Sequence, residues 1–155
     1  EIMKSLNYTV KKDVDFFIFS NDYKEISRRY LSNGKKIYYI GFSDGQELKD
    51  VDVNTFEILE NPYSKDKNNV YFMDVKIENV DAETFETLGK GYSKDKNNVY
   101  FEVTSIGDEN TGFSIHLTAI TAADVKTFRV LGEYNDGKAK DKNNYYKNGE
   151  KIKKK

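Results

Sequence analysis

The sequence predicts a mainly β fold, with tandem hairpin repeats stacked into one continuous antiparallel β core and short helical turns between them. Three observations predict it. The decapeptide YSKDKNNVYF stands at residues 63–72 and again, letter for letter, at residues 92–101. The pattern D-x-x-T-F-x-x-L occurs three times, beginning at Asp52, Asp81 and Asp124. The 155 residues include 12 Tyr and 10 Phe, side chains that favour strands and bury large areas. A unit this short cannot bury its own aromatic face, and stacking copies is how such a chain builds a core.

In chain order, residues 1–29 read as a degenerate N-terminal cap, with Asp13-Val14-Asp15-Phe16-Phe17-Ile18-Phe19 as the faintest copy of the hairpin motif. The first unit spans 30–62. Its turn is Asn33-Gly34-Lys35-Lys36, its returning strand Ile37-Tyr38-Tyr39, and Asp44-Gly45 marks a longer second hairpin. The second unit, 63–91, is the most compact. The third, 92–133, carries extra residues with Asp108-Glu109-Asn110-Thr111-Gly112 at the tip of a long hairpin. Loop tips tolerate insertion and often carry function, but a plain turn is the reading adopted. A partial C-terminal unit, 134–155, retains Asp141-Lys142-Asn143-Asn144-Tyr145-Tyr146 and then Asn148-Gly149, the strongest two-residue hairpin signal. The final Lys151-Ile152-Lys153-Lys154-Lys155 reads as a solvated, frayed end.

Local chemistry supports each piece. In Asp-Lys-Asn-Asn the aspartate accepts from backbone N–H groups ahead of it, and asparagine tolerates the left-handed backbone of tight turns. Strand alternation places Val99 and Phe101 on one face and Tyr100 on the other, with the same split at Val70/Phe72 against Tyr71 and at Ile37/Tyr39 against Tyr38. D-x-x-T-F-x-x-L reads as a capped turn. Asp81 sits at the N-cap, Thr84 answers it three residues later, and Phe85 and Leu88 enter the core. A short helical turn running into a strand is expected there.

Asp66-Lys67-Asn68-Asn69-Val70-Tyr71, its copy from Asp95, and the run from Asp141 to Tyr146 resemble the DKNYY family, which is named for this motif. The likeness runs from about Tyr30 onward, with Asn33-Gly34 departing from it in the first unit. It implies a bacterial protein, secreted or held in the cell envelope as a lipoprotein. It brings no catalytic residues to carry over.

Composition excludes several activities. With 25 basic and 26 acidic residues and a net charge of −1, the chain has no basic field for nucleic acid. No cysteine is present, so no disulfide framework and no thiolate chemistry are available. No run of 18 apolar residues offers a transmembrane segment. The sequence opens on Glu1 rather than Met, and a preceding segment, such as a signal peptide or lipid anchor, is expected. His116 is the single histidine and lacks triad partners. The acid pairs Asp13/Asp15 and Asp50/Asp52 read as solvated charge. No cofactor is expected.

Two site hypotheses remain. Tyr38, Tyr71, Tyr100 and Tyr146 hold equivalent repeat positions. Exposed, they would form a ladder for stacking on sugar rings or a partner chain; buried, they would be a second core face. Asp66/Asn68 and Asp95/Asn97 place oxygens at the alternating positions calcium uses, yet turn chemistry alone accounts for them, and no metal is expected. The functional expectation is a non-enzymatic envelope or surface module that contacts an unknown protein or glycan. A purely structural spacer is the alternative, and a hydrolase the more distant one.

Overall fold

The computed structural model describes residues 23–41, 45–106, 113–132 and 136–153. These residues form strands, turns and connectors with no helix, and so none long and apolar enough to cross a membrane. The strands make four antiparallel sheets of four, each a meander in chain order. The first sheet holds β1 (Lys24–Ser27), β2 (Tyr30–Ser32), β3 (Ile37–Ile40) and β4 (Gly45–Glu47). The second holds β5 (Glu57–Ile58), β6 (Tyr63–Lys65), β7 (Val70–Phe72) and β8 (Val75–Ile77). The third holds β9 (Glu86–Gly89), β10 (Tyr92–Lys94), β11 (Val99–Ile106) and β12 (Phe113–Ala119). The fourth holds β13 (Arg129–Val130), β14 (Lys138–Lys140), β15 (Tyr145–Lys147) and β16 (Glu150–Ile152).

Each central hairpin is the repeated motif itself. Asp95 N–H donates to Asn98 O across the turn at 3.0 Å, and Lys94 pairs with Val99. The D-x-x-T-F segments run from a single turn into a strand, as the capped-turn pattern predicts. Each is a turn rather than a helix. Where a backbone bond closes it, as in Thr55 N–H to Asp52 O at 3.1 Å, the next residue, Phe56, already leaves toward the core. A second helical turn would carry that phenylalanine away from the sheet it covers.

Three apolar clusters fill the spaces between successive sheets. Tyr30, Ile37 and Tyr39 of the first sheet meet Tyr71 of the second, with Leu48 from the connector. Tyr63, Val70, Phe72 and Ile77 of the second meet Ala82, Phe85 and Ile115. Tyr92 and Val99 of the third meet Phe128, Ala139 and Tyr146. Period-two alternation thus serves both faces. In β7, Tyr71 looks back to the first sheet while Val70 and Phe72 look forward to the third. The long β11–β12 hairpin also folds backward, seating Ile115 and Leu117 on the cluster of the second sheet. Its tip, Asp108 to Gly112, lies outside the described residues, as do Asp13, Asp15 and the rest of the degenerate cap up to residue 22.

Polar ties reinforce the stacking. The tyrosine that opens β2, β6 and β10 reaches forward one sheet. Tyr30 Oη donates to Ser64 Oγ at 3.2 Å, Tyr63 Oη to Glu102 Oε2 at 2.9 Å, and Tyr92 Oη to Gly137 O at 2.9 Å. Because Tyr63 chooses Glu102, the buried Ser93 Oγ, equivalent to Ser64 Oγ, has no hydrogen-bond partner among the described residues. Removing an unpaired buried hydroxyl costs nothing, whereas removing a paired one costs about 1 kcal/mol. Ser93→Ala is therefore expected to be neutral or stabilising in urea denaturation, and Ser64→Ala destabilising; equal losses from both would contradict the pairing. Ala139 already holds this position in the fourth sheet.

The Asn148-Gly149 hairpin forms as expected, with Lys147 paired to Glu150 and both turn residues left-handed (φ 48° and 82°). A Cβ at Gly149 would also fall 2.7 Å from Phe101 Cβ. The left-handed backbone alone costs a non-glycine residue about 1–2 kcal/mol. Gly149→Ala is accordingly expected to lose at least that much, read as a lower urea midpoint with unchanged slope. The C-terminal segment corrects one expectation. Lys151 and Ile152 are not a frayed end but part of edge strand β16, ordered by pairing with β15.

Candidate functional site

The two repeated motifs are halves of one clasp. In the third sheet Asp95, 3% exposed, collects four donors. Its Oδ1 accepts from Asn97 N and Asn98 N, both at 2.8 Å. Its Oδ2 accepts from Tyr100 Oη at 2.7 Å and from Asp81 N at 2.9 Å. Asp81 then caps Thr84 N at 3.1 Å and pairs with Lys96 at 2.7 Å, while Thr84 Oγ1 accepts from Lys96 N at 2.9 Å. The second and fourth sheets repeat the plan around Asp66 with Asp52 and around Asp141 with Asp124. Each clasp fastens the turn that enters a sheet onto the central hairpin of that sheet. In the first sheet Asn33 Oδ1 keeps only the turn half, accepting from Lys35 N and Lys36 N.

These environments fix the charge states. Burial works to raise the Asp66 and Asp95 carboxyls, but converging N–H donors, foremost those of Asp52 and Asp81, hold both below the usual range. For Asp141 the same balance ends at about 2. An unfolded aspartate titrates near 3.9, so the stabilisation from Asp141 is complete above about pH 4 and is lost as pH falls through about 2. The phenols behave oppositely. Burial, then the aspartate bond, pushes Tyr100 and Tyr146 up to about 12. Their contribution is complete below the ordinary value near 10 and is lost as pH rises toward about 12. Stability is expected to be flat between about pH 5 and 9, with tyrosinate absorbance from the buried rings appearing together with loss of the β circular-dichroism signal. Early tyrosinate formation in a folded chain would contradict this.

The tyrosine ladder is buried rather than laid out on the surface. Tyr38, Tyr71, Tyr100 and Tyr146 are 1%, 0%, 3% and 0% exposed. Neighbouring sheets and connectors cover the rings, and the hydroxyls are engaged inside the fold. Tyr71 Oη bonds Lys49 O at 2.9 Å, and Tyr146 Oη bonds Asp141 Oδ2 at 2.8 Å. Tyr38 packs edge-on against Tyr23 and reaches Glu47 Oε2 at 3.2 Å. The carboxylates of the calcium alternative are likewise engaged within the fold. The Asp66 and Asp95 oxygens face N–H and O–H donors, and Asn68 and Asn97 contribute backbone N–H groups to them rather than oxygens beside them. His116 is exposed on β12 opposite Val103. Asp52 belongs to a clasp, while Asp50 is exposed, 3.9 Å from Lys76.

What sequence reasoning missed is the outer face of the fourth sheet. Pairing aligns Arg129, Lys140, Tyr145 and Ile152 in one row across its four strands. The same row in the second sheet is Glu57, Lys65, Val70 and Ile77. The edge-to-face pairs Tyr63–Phe72 and Tyr92–Phe101, with ring centroids 5.0 and 4.9 Å apart, become Lys138 opposite Lys147. The aligned repeats carried these exchanges, Glu57 to Arg129 within the row and Tyr63 and Phe72 to Lys138 and Lys147 beside it. The result is an open cleft of about 1020 Å³, lined by Arg129, Lys140, Lys142, Lys151 and Lys153 against one carboxylate, Asp141. That carboxylate is spent in its clasp, and Lys142 is paired with Asp124. Arg129, Lys151 and Lys153 have no ion pair among the described residues. Tyr145 and Ile152 supply an apolar floor, with Lys140 Nζ 5.7 Å from the Tyr145 ring centre. Such a surface attracts anions.

The sequence pattern of the DKNYY family matches residues 3–75 and 63–117. The two matches overlap on the second sheet's central hairpin, as tandem copies of one motif would. No curated protein and no solved structure matches the chain.

Proposed function

The chain belongs to the DKNYY family, and on that premise we propose that it is a non-enzymatic binding module of the bacterial cell envelope, holding its partner on the outer face of the fourth sheet. The observation that carries this is the basic cleft with its Tyr145 and Ile152 floor, in which Arg129 stands where the second sheet has Glu57. The carboxylates and phenols of the repeats support a non-catalytic role, because their oxygens are used in the clasps. The test is a cross-linking pull-down from envelope extract of the native host, comparing the wild type with a folded Arg129→Glu/Lys140→Glu variant. A partner enriched by the wild type and lost by the variant supports the reading; identical captures overturn it. The burial of Tyr38, Tyr71, Tyr100 and Tyr146 favours a second reading, a structural spacer. That reading gains if neither form enriches anything.

A further inference from the structure

We infer that the fourth sheet's outer face is the seat for an acidic peptide turn bearing an aromatic side chain, held as the chain's own D-x-x-T-F turns are held on the other three sheets. The inference rests on the binding-module reading and names its ligand. Each of the first three sheets offers the corresponding face to a phenylalanine from the next turn. Phe56 lies 5.4 Å from Tyr30, Phe85 5.8 Å from Tyr63, and Phe128 5.4 Å from Tyr92, centre to centre. The second sheet also grips the backbone of its turn, since Lys65 Nζ donates to Glu83 O at 3.4 Å and to Phe85 O at 3.2 Å.

Lys140 holds the register position of Lys65, opposite Tyr145 as Lys65 is opposite Val70. Tyr145 and Ile152 replace Val70 and Ile77 as the floor, and Ile152, 41% exposed, is one of two large apolar side chains the described residues leave open. The lysine and the apolar pair of the row are therefore retained, while Lys138 stands where Tyr63 receives Phe85 in the second sheet. What changes is the charge. Arg129 stands where the second and third sheets have Glu57 and Glu86, and Lys151 and Lys153 extend the cationic rim. The fitting occupant is acidic, as the turn Asp81-Ala82-Glu83-Thr84-Phe85 is.

The test uses the full chain and a synthetic nonapeptide with the sequence of residues 80–88, VDAETFETL. Amide chemical-shift mapping is expected to show saturable changes centred on Arg129, Lys140, Tyr145 and Ile152. The affinity should weaken with salt and fall about tenfold or more in the Arg129→Glu/Lys140→Glu variant. A peptide with the Phe85→Ala change should bind worse than the parent, and Tyr145→Ala in the protein should weaken the parent peptide without altering the fold. Inorganic polyphosphate is the second probe. If it binds this face and the peptide does not, the peptide inference falls while the binding-module reading stands. If neither binds there, both fall. Equal binding of the parent and Phe85→Ala peptides, or shifts centred on the second sheet, overturns the inference.

Discussion

Asp95→Ala is expected to lower stability by about 3–5 kcal/mol, the range for removing one partner of a buried charged network. The magnitude follows from what the carboxylate leaves behind. Asp81 N, Asn97 N, Asn98 N and Tyr100 Oη all lose their acceptor in a site 3% exposed. Each buried donor left unsatisfied costs about 1–3 kcal/mol before relaxation. Urea denaturation measures the total, and amide exchange should localise the opening to the third sheet and the turn at Asp81. Asp95→Asn should fall between the two forms, since one amide oxygen cannot replace two carboxylate oxygens. The contrast is Lys96→Ala. Lys96 is exposed and reaches only the rim carboxylate of Asp81, so its loss should cost less than about 1 kcal/mol. If the two substitutions cost the same, the aspartate is not the hub of the clasp.

Phe85→Ala should have an effect of similar size by another route. Phe85 is 2% exposed and fills the space between the second and third sheets against Tyr63 and Val70. Deleting a buried phenylalanine side chain costs about 3–5 kcal/mol through lost burial and the cavity left behind. In a stacked array the stability is the sum of unit and nearest-neighbour interface terms. Weakening one interface should therefore split the unfolding transition, the segment before residue 80 separating from the segment after it. Residue-resolved exchange or two tyrosine-fluorescence transitions would show the split. A single shifted transition would mean that Ile115 and Leu117, which bridge back from the long hairpin, hold the two parts together without Phe85.

The parts legible in the sequence are those whose bonds are local. Asp95 caps residues two and three ahead of it, so Asp-Lys-Asn-Asn announces its turn in any context. Asn148-Gly149 does the same for its hairpin. The β11–β12 extension was readable because a hairpin lengthens by adding residues to both arms. In contrast, the turn between β7 and β8 places Met73 at φ 57°, and nothing in Met-Asp signals a left-handed residue. The partnership of the motifs was hidden for a different reason. Asp52 and Asp66, like Asp81 and Asp95, lie 14 residues apart, but Asp124 and Asp141 lie 17 apart. The contact is kept by the geometry of the sheet rather than by a fixed spacing.

Tyrosine shows the division most clearly. Alternation in Val70-Tyr71-Phe72 assigns Tyr71 to the opposite face from its neighbours, and that much is local geometry. Whether the opposite face meets water or another sheet depends on what stacks there, and the first sheet does. The basic cleft likewise needed the register that aligns Arg129, Lys140, Tyr145 and Ile152 across four strands.

The sequence by itself determined the β class, the hairpins and their turns, and the tandem repetition, because backbone sterics and hydrogen bonds within three residues specify them. Only the tertiary structure decided that the tyrosines are core, that the two motifs lock together, and that the last sheet turns a charged face outward. Those outcomes belong to surfaces meeting across the stack, and burial and pairing exist only once the sheets are in place.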